Sequence, residues 1–384
     1  MKVFFTLDTL SIGGTESSTL DILSHFSADT EVKVIYFYDG HELKEAYQKA
    51  GIPLHFVGLK TRKSFFQGIK HLIKIIRTEK PDIVVSSIAR ADLISRIACF
   101  ITRTPIIGTF VNDSYGDIRV EEHKKRKTYI KFIYAWSLDK MTSFIPQYWI
   151  ANCKSIAVSN AKALSLNLNK LKVIYRGRDT SKFPVWQAPN YTGKIKFVFV
   201  GRLMERKGLY ELLEVAKMLK SENLNFQLDI FGGGTMAVLL KKIIDDNNLQ
   251  SNVTLHGSVQ NGWKKNYEGH CFVFPSWYEG FSGSLVEAMI TGIPIIASDI
   301  PMNKEAVTDG KTALLFKVKN TQELFTQMKK VITNYTEVLH LGQNARAEAT
   351  SRFDIKIISK QYEGFLKSVV NQKVDSTQLV QKAD

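Results

Sequence analysis

Cysteine, long apolar runs and low-complexity sequence are scarce in this chain of 384 residues, and each shortage excludes something. Its three cysteines, Cys99, Cys153 and Cys271, stand in apolar or mixed surroundings without metal-ligand spacing. A zinc site or disulfide framework is excluded on that basis, and the residues read as buried thiols in a reducing compartment. No apolar run reaches 18 residues, so a membrane-spanning helix is not expected. The opening Met1-Lys-Val-Phe-Phe-Thr-Leu-Asp lacks the long apolar stretch and cleavage site of a signal peptide and reads as a first strand. Biased sequence is confined to a polar tail beyond about Gln372, expected to fray.

What is present fits a globular protein. Hydrophobic residues make up 44% and charged residues 23%, and the length suits two domains better than one. The net charge of +15 is lopsided: residues 1–185 hold 28 Lys/Arg against 17 Asp/Glu, and the remainder 24 against 20. A basic surface in the first half suits nucleic acid, anionic lipid or an anionic substrate, and charge alone does not choose among them.

Both halves alternate short apolar runs with longer amphipathic ones. Strands are expected at Lys2–Leu7, Val32–Tyr38, Ile83–Ser86, Pro105–Thr109, Trp149–Ala151 and Lys172–Tyr175. In the second half they fall at Lys196–Val200, Gln227–Phe231, Val253–His256, Cys271–Phe274 and Pro294–Ala297. Helical patterns such as Glu16–His25, Gly68–Thr78, Gly208–Ser221, Gly283–Thr291 and Thr321–Asn334 separate them. Near-continuous apolar strands joined by helices predict parallel sheets covered on both faces, one doubly wound domain per half. Two prolines, a glycine and no helical period mark a linker near residues 183–194. Ligands of such sheets sit beyond the carboxyl ends of the strands, so the loops there carry the candidate chemistry.

Four loops qualify. After Cys271–Phe274 the chain reads Pro275-Ser-Trp-Tyr-Glu279-Gly-Phe-Ser-Gly-Ser-Leu-Val-Glu287, two carboxylates eight positions apart. Between them Gly280, Ser282, Gly283 and Ser284 let backbone amides near a helix N-terminus approach a ligand. That pattern suits a sugar, whose hydroxyls donate to carboxylates; the plainer alternative makes Glu279 a helix-capping acid and Glu287 a surface residue. After Lys196–Val200 comes Gly201-Arg202-Leu-Met-Glu-Arg206-Lys207-Gly208, where Arg202 and Lys207 at a strand end beside a helix start would suit a diphosphate. Arg206 reads as pointing to water. Gly232-Gly233-Gly234-Thr235 follows another strand but lacks G-x-G-x-x-G. Gly13-Gly14-Thr15-Glu16 follows the first strand and reads either as a phosphate-binding turn or simply as a tight one.

With these loops in view the chain resembles, nearly end to end, the GT-B retaining glycosyltransferases of family 4, which include many bacterial polysaccharide and lipopolysaccharide enzymes. The most specific part is Glu279-x7-Glu287, preceded by Gly201-Arg202 and Lys207-Gly208; Lys172–Phe183 also resembles the family's entry into its second domain. The resemblance implies two Rossmann-like, doubly wound parallel-sheet α/β domains facing a central cleft. An acceptor domain would span 1–185 and a nucleotide-sugar donor domain 186–350. A helix over 351–370 would pack back towards the first domain, with a disordered tail at 371–384.

The resemblance also implies roles. Arg202 and Lys207 would bind the donor diphosphate and stabilise the departing nucleotide, Glu279 would contact the transferred sugar, and Glu287 the ribose. Gly201, Gly280 and the backbone across Phe281, Ser282, Gly283, Ser284 and Leu285 would line the donor, Gly13 and Gly14 would close over its phosphates, and the base would lie near Gly232, Gly233 and Val259. The reaction would retain anomeric configuration. No cofactor and no metal are expected, since Arg202 and Lys207 supply the charge and no D-x-D pair lies near a donor loop.

One departure concerns the acceptor. Many relatives carry a histidine after the strand matching Pro105–Thr109; here the loop reads Gly108-Thr-Phe-Val-Asn112-Asp113-Ser-Tyr115. Asn112 or Asp113 replaces it, His123 reaches in, or the loop is merely a turn.

Two basic stretches, Lys60–Arg77 and His123–Trp136, mix cations with apolar residues, as in helices that lie on anionic membranes and equally in core-facing helices with a basic solvated side. The expected partners are therefore a nucleotide-sugar donor, a saccharide or lipid-linked acceptor and an anionic membrane surface, with no nucleic acid. The expected location is cytoplasmic, at the inner face of the cell membrane. Competing readings are a nucleotide-sugar epimerase or hydrolase on the same fold, or a non-catalytic nucleotide-sugar binding protein.

Overall fold

The structure, a computed structural model, describes residues 1–61, 64–125, 127–189 and 193–381, with side chains except at 89 and 373–381. Arg62, Lys63 and Arg126 of the basic stretches, linker residues 190–192 and the last three residues of the tail lie outside them. The chain forms two compact units, Met1–Gly177 with the segment from Ile355 onward, and Arg178–Asp354.

The first unit is built on strands β1 (Lys2–Leu7), β2 (Glu31–Tyr36), β3 (Leu54–Phe56), β4 (Ile83–Ser86), β5 (Ile106–Phe110), β6 (Tyr148–Ala151) and β7 (Leu171–Val173). They pair in the order β3-β2-β1-β4-β5-β6-β7, all parallel. Its helices are α1 (Gly14–Leu23), α2 (Lys44–Lys49), α3 (Phe65–Glu79), α4 (Ala89–Thr102), α5 (Asp117–Lys125), α6 (Tyr129–Thr142) and α7 (Lys154–Leu164). β4, Ile-Val-Val-Ser, is buried at every position, as expected of a strand covered on both faces.

The second unit has β8 (Ile195–Val200), β9 (Phe226–Phe231), β10 (Val253–Gly257), β11 (Cys271–Phe274), β12 (Ile295–Ser298) and β13 (Leu314–Phe316). Their order is β10-β9-β8-β11-β12-β13, again all parallel. Helices α8 (Leu209–Ser221), α9 (Ala237–Asp246), α10 (Gly283–Thr291), α11 (Pro301–Ala306), α12 (Thr321–Thr333) and α13 (Tyr335–Arg352) complete it. Leu209, Leu212, Leu213, Val215, Ala216 and Leu219 give α8 one apolar stripe, and it packs on Phe197, Phe199 and Ile230 of the sheet.

In each sheet the strand order reverses beside the unit's first strand, between β1 and β4 and between β8 and β11. At such a reversal the helices leave to opposite faces and a crevice opens past the strand ends. Loops after β8 and β11 therefore meet by topology, whatever their sequence.

Strands β3 and β13, three residues each, escape the sequence reading because a run that short has no period to detect; β7, equally short, is caught only as part of the longer expected strand Lys172–Tyr175. The units divide between Gly177 and Arg178, earlier than the expected linker. Arg178 N donates to Phe353 O, Arg346 Nη2 to Phe183 O, and Trp186 N to Thr291 O, which keeps residues 178–186 with the second unit. The last helix, α14 (Ile355–Gln381), belongs to the first unit: Tyr362 joins a ring cluster with Phe5 and Phe26, and Ser359 donates to Ile22 O. It continues to Gln381, past the point where the composition suggests fraying.

Candidate functional site

The loops after β8 and β11 are stitched together residue by residue. Trp277 N donates to Arg206 O at 2.8 Å, and Arg206 Nη1 donates to Tyr278 O at 3.1 Å and lies 3.3 Å from Glu279 Oε2. Lys207 Nζ reaches Glu279 Oε1 at 2.5 Å. Gly208 makes the contact possible: its φ of 68° is left-handed, and a Cβ there would stand 2.0 Å from the carbonyl oxygen of Pro275. The loop after β9 joins them. Gly232, at φ 147°, would drive a Cβ to 1.8 Å from Gly201 O, while Leu203 N donates to Gly233 O. Gly232 N donates to Gly257 O at 2.7 Å, and a Cβ on Gly233 would meet Ser258 Oγ at 2.3 Å. Gly201, Gly232 and Gly233 thus lie together, next to the 257–259 turn that ends in Val259.

Lys207 and Glu279 are each only 7% exposed. Burial pulls Lys207 below the ordinary lysine pKa; Glu279 pulls the other way without prevailing, and the positive charges of Arg206 and Arg202 add to the depression. Burial pushes Glu279 up, but the charges of Lys207 and Arg206 and the hydrogen bonds it accepts outweigh that and hold it below the usual glutamate value. Two cations, Arg206 and Lys207, hold one buried carboxylate, and the exposed Arg202 adds positive charge near Lys207, so the cluster carries surplus positive charge. Surplus positive charge of that kind favours an anionic ligand.

Arg206 corrects the sequence reading. It does not point to water: its guanidinium bonds to the 278–279 segment and lies over the Tyr278 ring at 5.3 Å. Adjacent Arg-Lys residues look interchangeable in a sequence, and the 3₁₀ turn Glu205–Lys207 is what aims both at Glu279. Arg202, by contrast, is exposed at the strand end.

Glu287 projects from α10 and is ion-paired with Arg178 Nε at 2.8 Å, both side chains half-buried. Arg178 is a residue the sequence reading did not single out. Gly280 leads into buried Phe281, whose ring packs edge-on against Phe353 at 5.2 Å. Ser282 is the N-cap of α10, and Gly283, Ser284 and Leu285 form its first turn, whose amides lack intrahelical acceptors. Among the described residues, no group of three or more His, Cys, Asp or Glu is placed to hold a metal ion.

The other candidates lie in the first unit. Gly13 is the N-cap of α1, and a Cβ on Gly14 would come 3.0 Å from Arg176 Nη1, so an arginine from beyond β7 stands at that helix start. Asn112 and Asp113 are structurally engaged: Asn160 Nδ2 donates to Asn112 O, and Ser159 Oγ donates to Asp113 Oδ1 at 2.7 Å. Together with Ser114 N donating to Asn160 Oδ1, these bonds make the segment a clamped turn. His123 stacks on Phe132 at 4.8 Å and bonds to Thr128 Oγ1. A recess in the same unit has mostly apolar walls, among them Phe5, Ile22, Phe110 and Ile150, into which Ser18, Asn152 and Arg176 bring polar groups. Ser18 Oγ and Asn152 Oδ1 are buried there without a hydrogen-bond partner. In sequence the polar residues of this recess are scattered from Thr15 to Arg176 and carry no motif.

The basic stretches separate. In α3, Ile69, Leu72 and Ile76 face the core while Lys70, Lys74 and Arg77 are exposed, the arrangement of an ordinary surface helix. α5 and α6 bury no residue fully. No helix among the described residues is long and apolar enough to cross a membrane.

Comparison with known proteins follows the same two-part division. Residues 12–182 match the profile described as Glycosyltransferase Family 4, and residues 183–348 that described as Glycosyl transferases group 1. The chain is 25% identical over 356 residues to the capsular polysaccharide biosynthesis glycosyltransferase CapM of Staphylococcus aureus, covering 87% of this chain and 89% of that one. It is 27% identical over 339 residues to an Escherichia coli UDP-Gal:alpha-D-GlcNAc-diphosphoundecaprenol alpha-1,3-galactosyltransferase, with coverages of 80% and 82%. In fold it is similar to Anabaena HepE, solved with UDP and glucose, at a TM-score of 0.80 and 21% identity, over 96% of this chain and all of that one.

Proposed function

Since the chain belongs to the family 4 GT-B glycosyltransferases, we propose that it moves a hexose or related sugar from a nucleoside diphosphate donor, UDP in the first instance, to a saccharide or lipid-linked acceptor. The reaction retains anomeric configuration, needs no metal, and serves bacterial surface polysaccharide assembly at the inner face of the cell membrane. The carrying observation is the buried Lys207–Glu279 pair with Arg206 on the same carboxylate and the exposed Arg202 at the same strand end, where the loops after β8 and β11 meet. As the bond to the sugar breaks, negative charge grows on the leaving diphosphate and positive charge on the sugar. Fixed cations in a desolvated pocket stabilise the first without reorganising. An ionised Glu279, held below the usual carboxyl range, suits the second and is unsuited to general acid work at neutral pH.

The CapM and galactosyltransferase relatives support the polysaccharide setting, and the UDP complex of HepE supports the choice of UDP. For the acceptor, the recess of the first unit, where Thr15, Ser18, Asn152 and Arg176 stand among apolar residues, joins Asn112 and Asp113 as a candidate; the exposed Asn112 commits only its backbone carbonyl to the turn. UDP-, GDP- and ADP-sugars are to be screened by thermal shift, then assayed with acceptor. Stabilisation by one donor class and product formed only with acceptor is the expected result. Epimer or free sugar formed equally well without acceptor would sink the proposal, as would indifference to every donor.

A further inference from the structure

We infer that the outer face of α6, with Lys124, Lys125 and Lys127 beside it, is a docking surface for an anionic lipid bilayer. The inference deepens the membrane placement proposed above but rests on its own observations.

The inner side of α6 is already occupied. Arg96, itself buried in α4, bonds to Asp139 and Thr142 at 3.0 Å and to Asp92, and its guanidinium lies 4.6 Å from the Trp149 ring. Tyr115 donates to Asp139 as well, Trp136 Nε1 donates to Ala163 O, and Phe132 packs on His123. Phe132, Trp136, Asp139 and Ser143 follow the i, i+4, i+7, i+11 spacing of one helix face. That face ties α6 to α4 and α7.

The opposite face carries Ile130, Tyr134, Met141 and, just past the helix, Phe144, at i, i+4, i+11 and i+14. They are 85%, 68%, 71% and 64% exposed, and Ile133 lies alongside. Phe144 meets the exposed Phe100 of α4 edge-on at 6.2 Å, which extends the apolar stripe across two helices. A stripe of this kind on a solvated helix is unusual, because isolated exposed apolar residues are common but contiguous ones mark a contact surface. Its rim decides the occupant. Lys124, Lys125, Lys127, Lys131 and Lys140 are exposed beside the stripe, and Asp139, the acid of α6, is turned inward to Arg96. Apolar residues flanked by lysines match the boundary between anionic headgroups and acyl chains. The same lysines would oppose a second copy of this face.

Flotation of the full chain with vesicles tests this. Wild type is expected to bind vesicles of equal parts phosphatidylcholine and phosphatidylglycerol, to ignore phosphatidylcholine alone, and to be released by salt. Lys127→Gln with Lys131→Gln should weaken partitioning about 25-fold, roughly fivefold per lysine. Ile130→Glu with Tyr134→Glu should weaken it about tenfold or more. Val238→Glu, at an equally exposed apolar position of α9, should leave it unchanged. Thermal melting of each variant controls for folding, and UDP binding is measured in parallel. Absence of vesicle binding with UDP binding intact overturns the inference and leaves the transferase proposal standing. Binding that both double variants retain but Lys70→Gln with Lys74→Gln abolishes would move it to α3. Self-association abolished by Ile130→Glu, without vesicle binding, would assign the face to a second copy and overturn it as well.

Discussion

At Lys207 two demands oppose one another: burial favours the neutral amine, and Glu279 favours the ammonium. A nucleoside diphosphate sugar would add two negative charges and tip the balance to the ammonium. Binding should therefore take up protons on the alkaline side, and donor affinity, full below the pKa of Lys207 in the free protein, should fall as pH rises through the higher pKa of the complex. Calorimetry in buffers of different ionisation enthalpy reads this uptake directly, and a proton count of zero at every pH would contradict it. Glu279 has the opposite sign. Its folded pKa is lowered, so its contribution to stability is present above the unfolded carboxyl value, about 4.3, and lost as pH falls through the folded one. Lys207→Met leaves that carboxylate buried with Arg206 alone and should cost about 3–5 kcal/mol in a denaturant melt. Lys207→Met with Glu279→Leu should cost less than the single change. Ser18→Ala makes a contrasting prediction. Its hydroxyl has no partner, so stability should hold within about 0.5 kcal/mol while acceptor KM rises if the recess holds the acceptor.

At the scale of elements, the strand ends depend on glycine where backbones touch. Gly232→Ala would force a Cβ into the Gly201 carbonyl from a left-handed φ and should cost about 3 kcal/mol or more, read by chemical denaturation. The attachment of α14 has its own pH signature. Glu363 accepts from Ser27 Oγ and Thr30 Oγ1, both at 2.5 Å, and pairs with Lys367. Burial raises its pKa, but these bonds bring it down to about 2. The stabilisation is present above about pH 4.3 and fades towards pH 2. Glu363→Gln should lower stability by about 2 kcal/mol at neutral pH, with the gap closing as the solution is acidified. A gap independent of pH would mean that Glu363 acts by packing alone. The repeating β-α grammar and the four strand-end loops were legible in the sequence, because apolar runs and glycine punctuation are local signals. The three-residue strands β3 and β13 were not, nor was the inward turn of Arg206, because neither has a local period. Arg178 on Glu287 and Arg176 at α1 were equally hidden, since both pairings join residues more than 100 positions apart in sequence.

For the molecule as a whole, charge is divided by task. The cations that matter for the proposed chemistry are few and lie in the second unit, whereas the surplus of the first unit is spread over its surface and gathers around α6. Salt should accordingly weaken vesicle binding far more than donor binding, because exposed charges are screened and buried ones are not. The central claim is that the β8 and β11 loops recognise a diphosphate. Titration calorimetry comparing UDP with uridine tests it most directly, using wild type and Arg202→Ala, whose exposed side chain can be removed without opening the fold. Wild type should bind UDP at least about 100-fold more tightly than uridine, and Arg202→Ala should lose about tenfold or more for UDP with none for uridine. Equal affinity for UDP and uridine, or an Arg202→Ala protein that binds UDP like wild type, would contradict it.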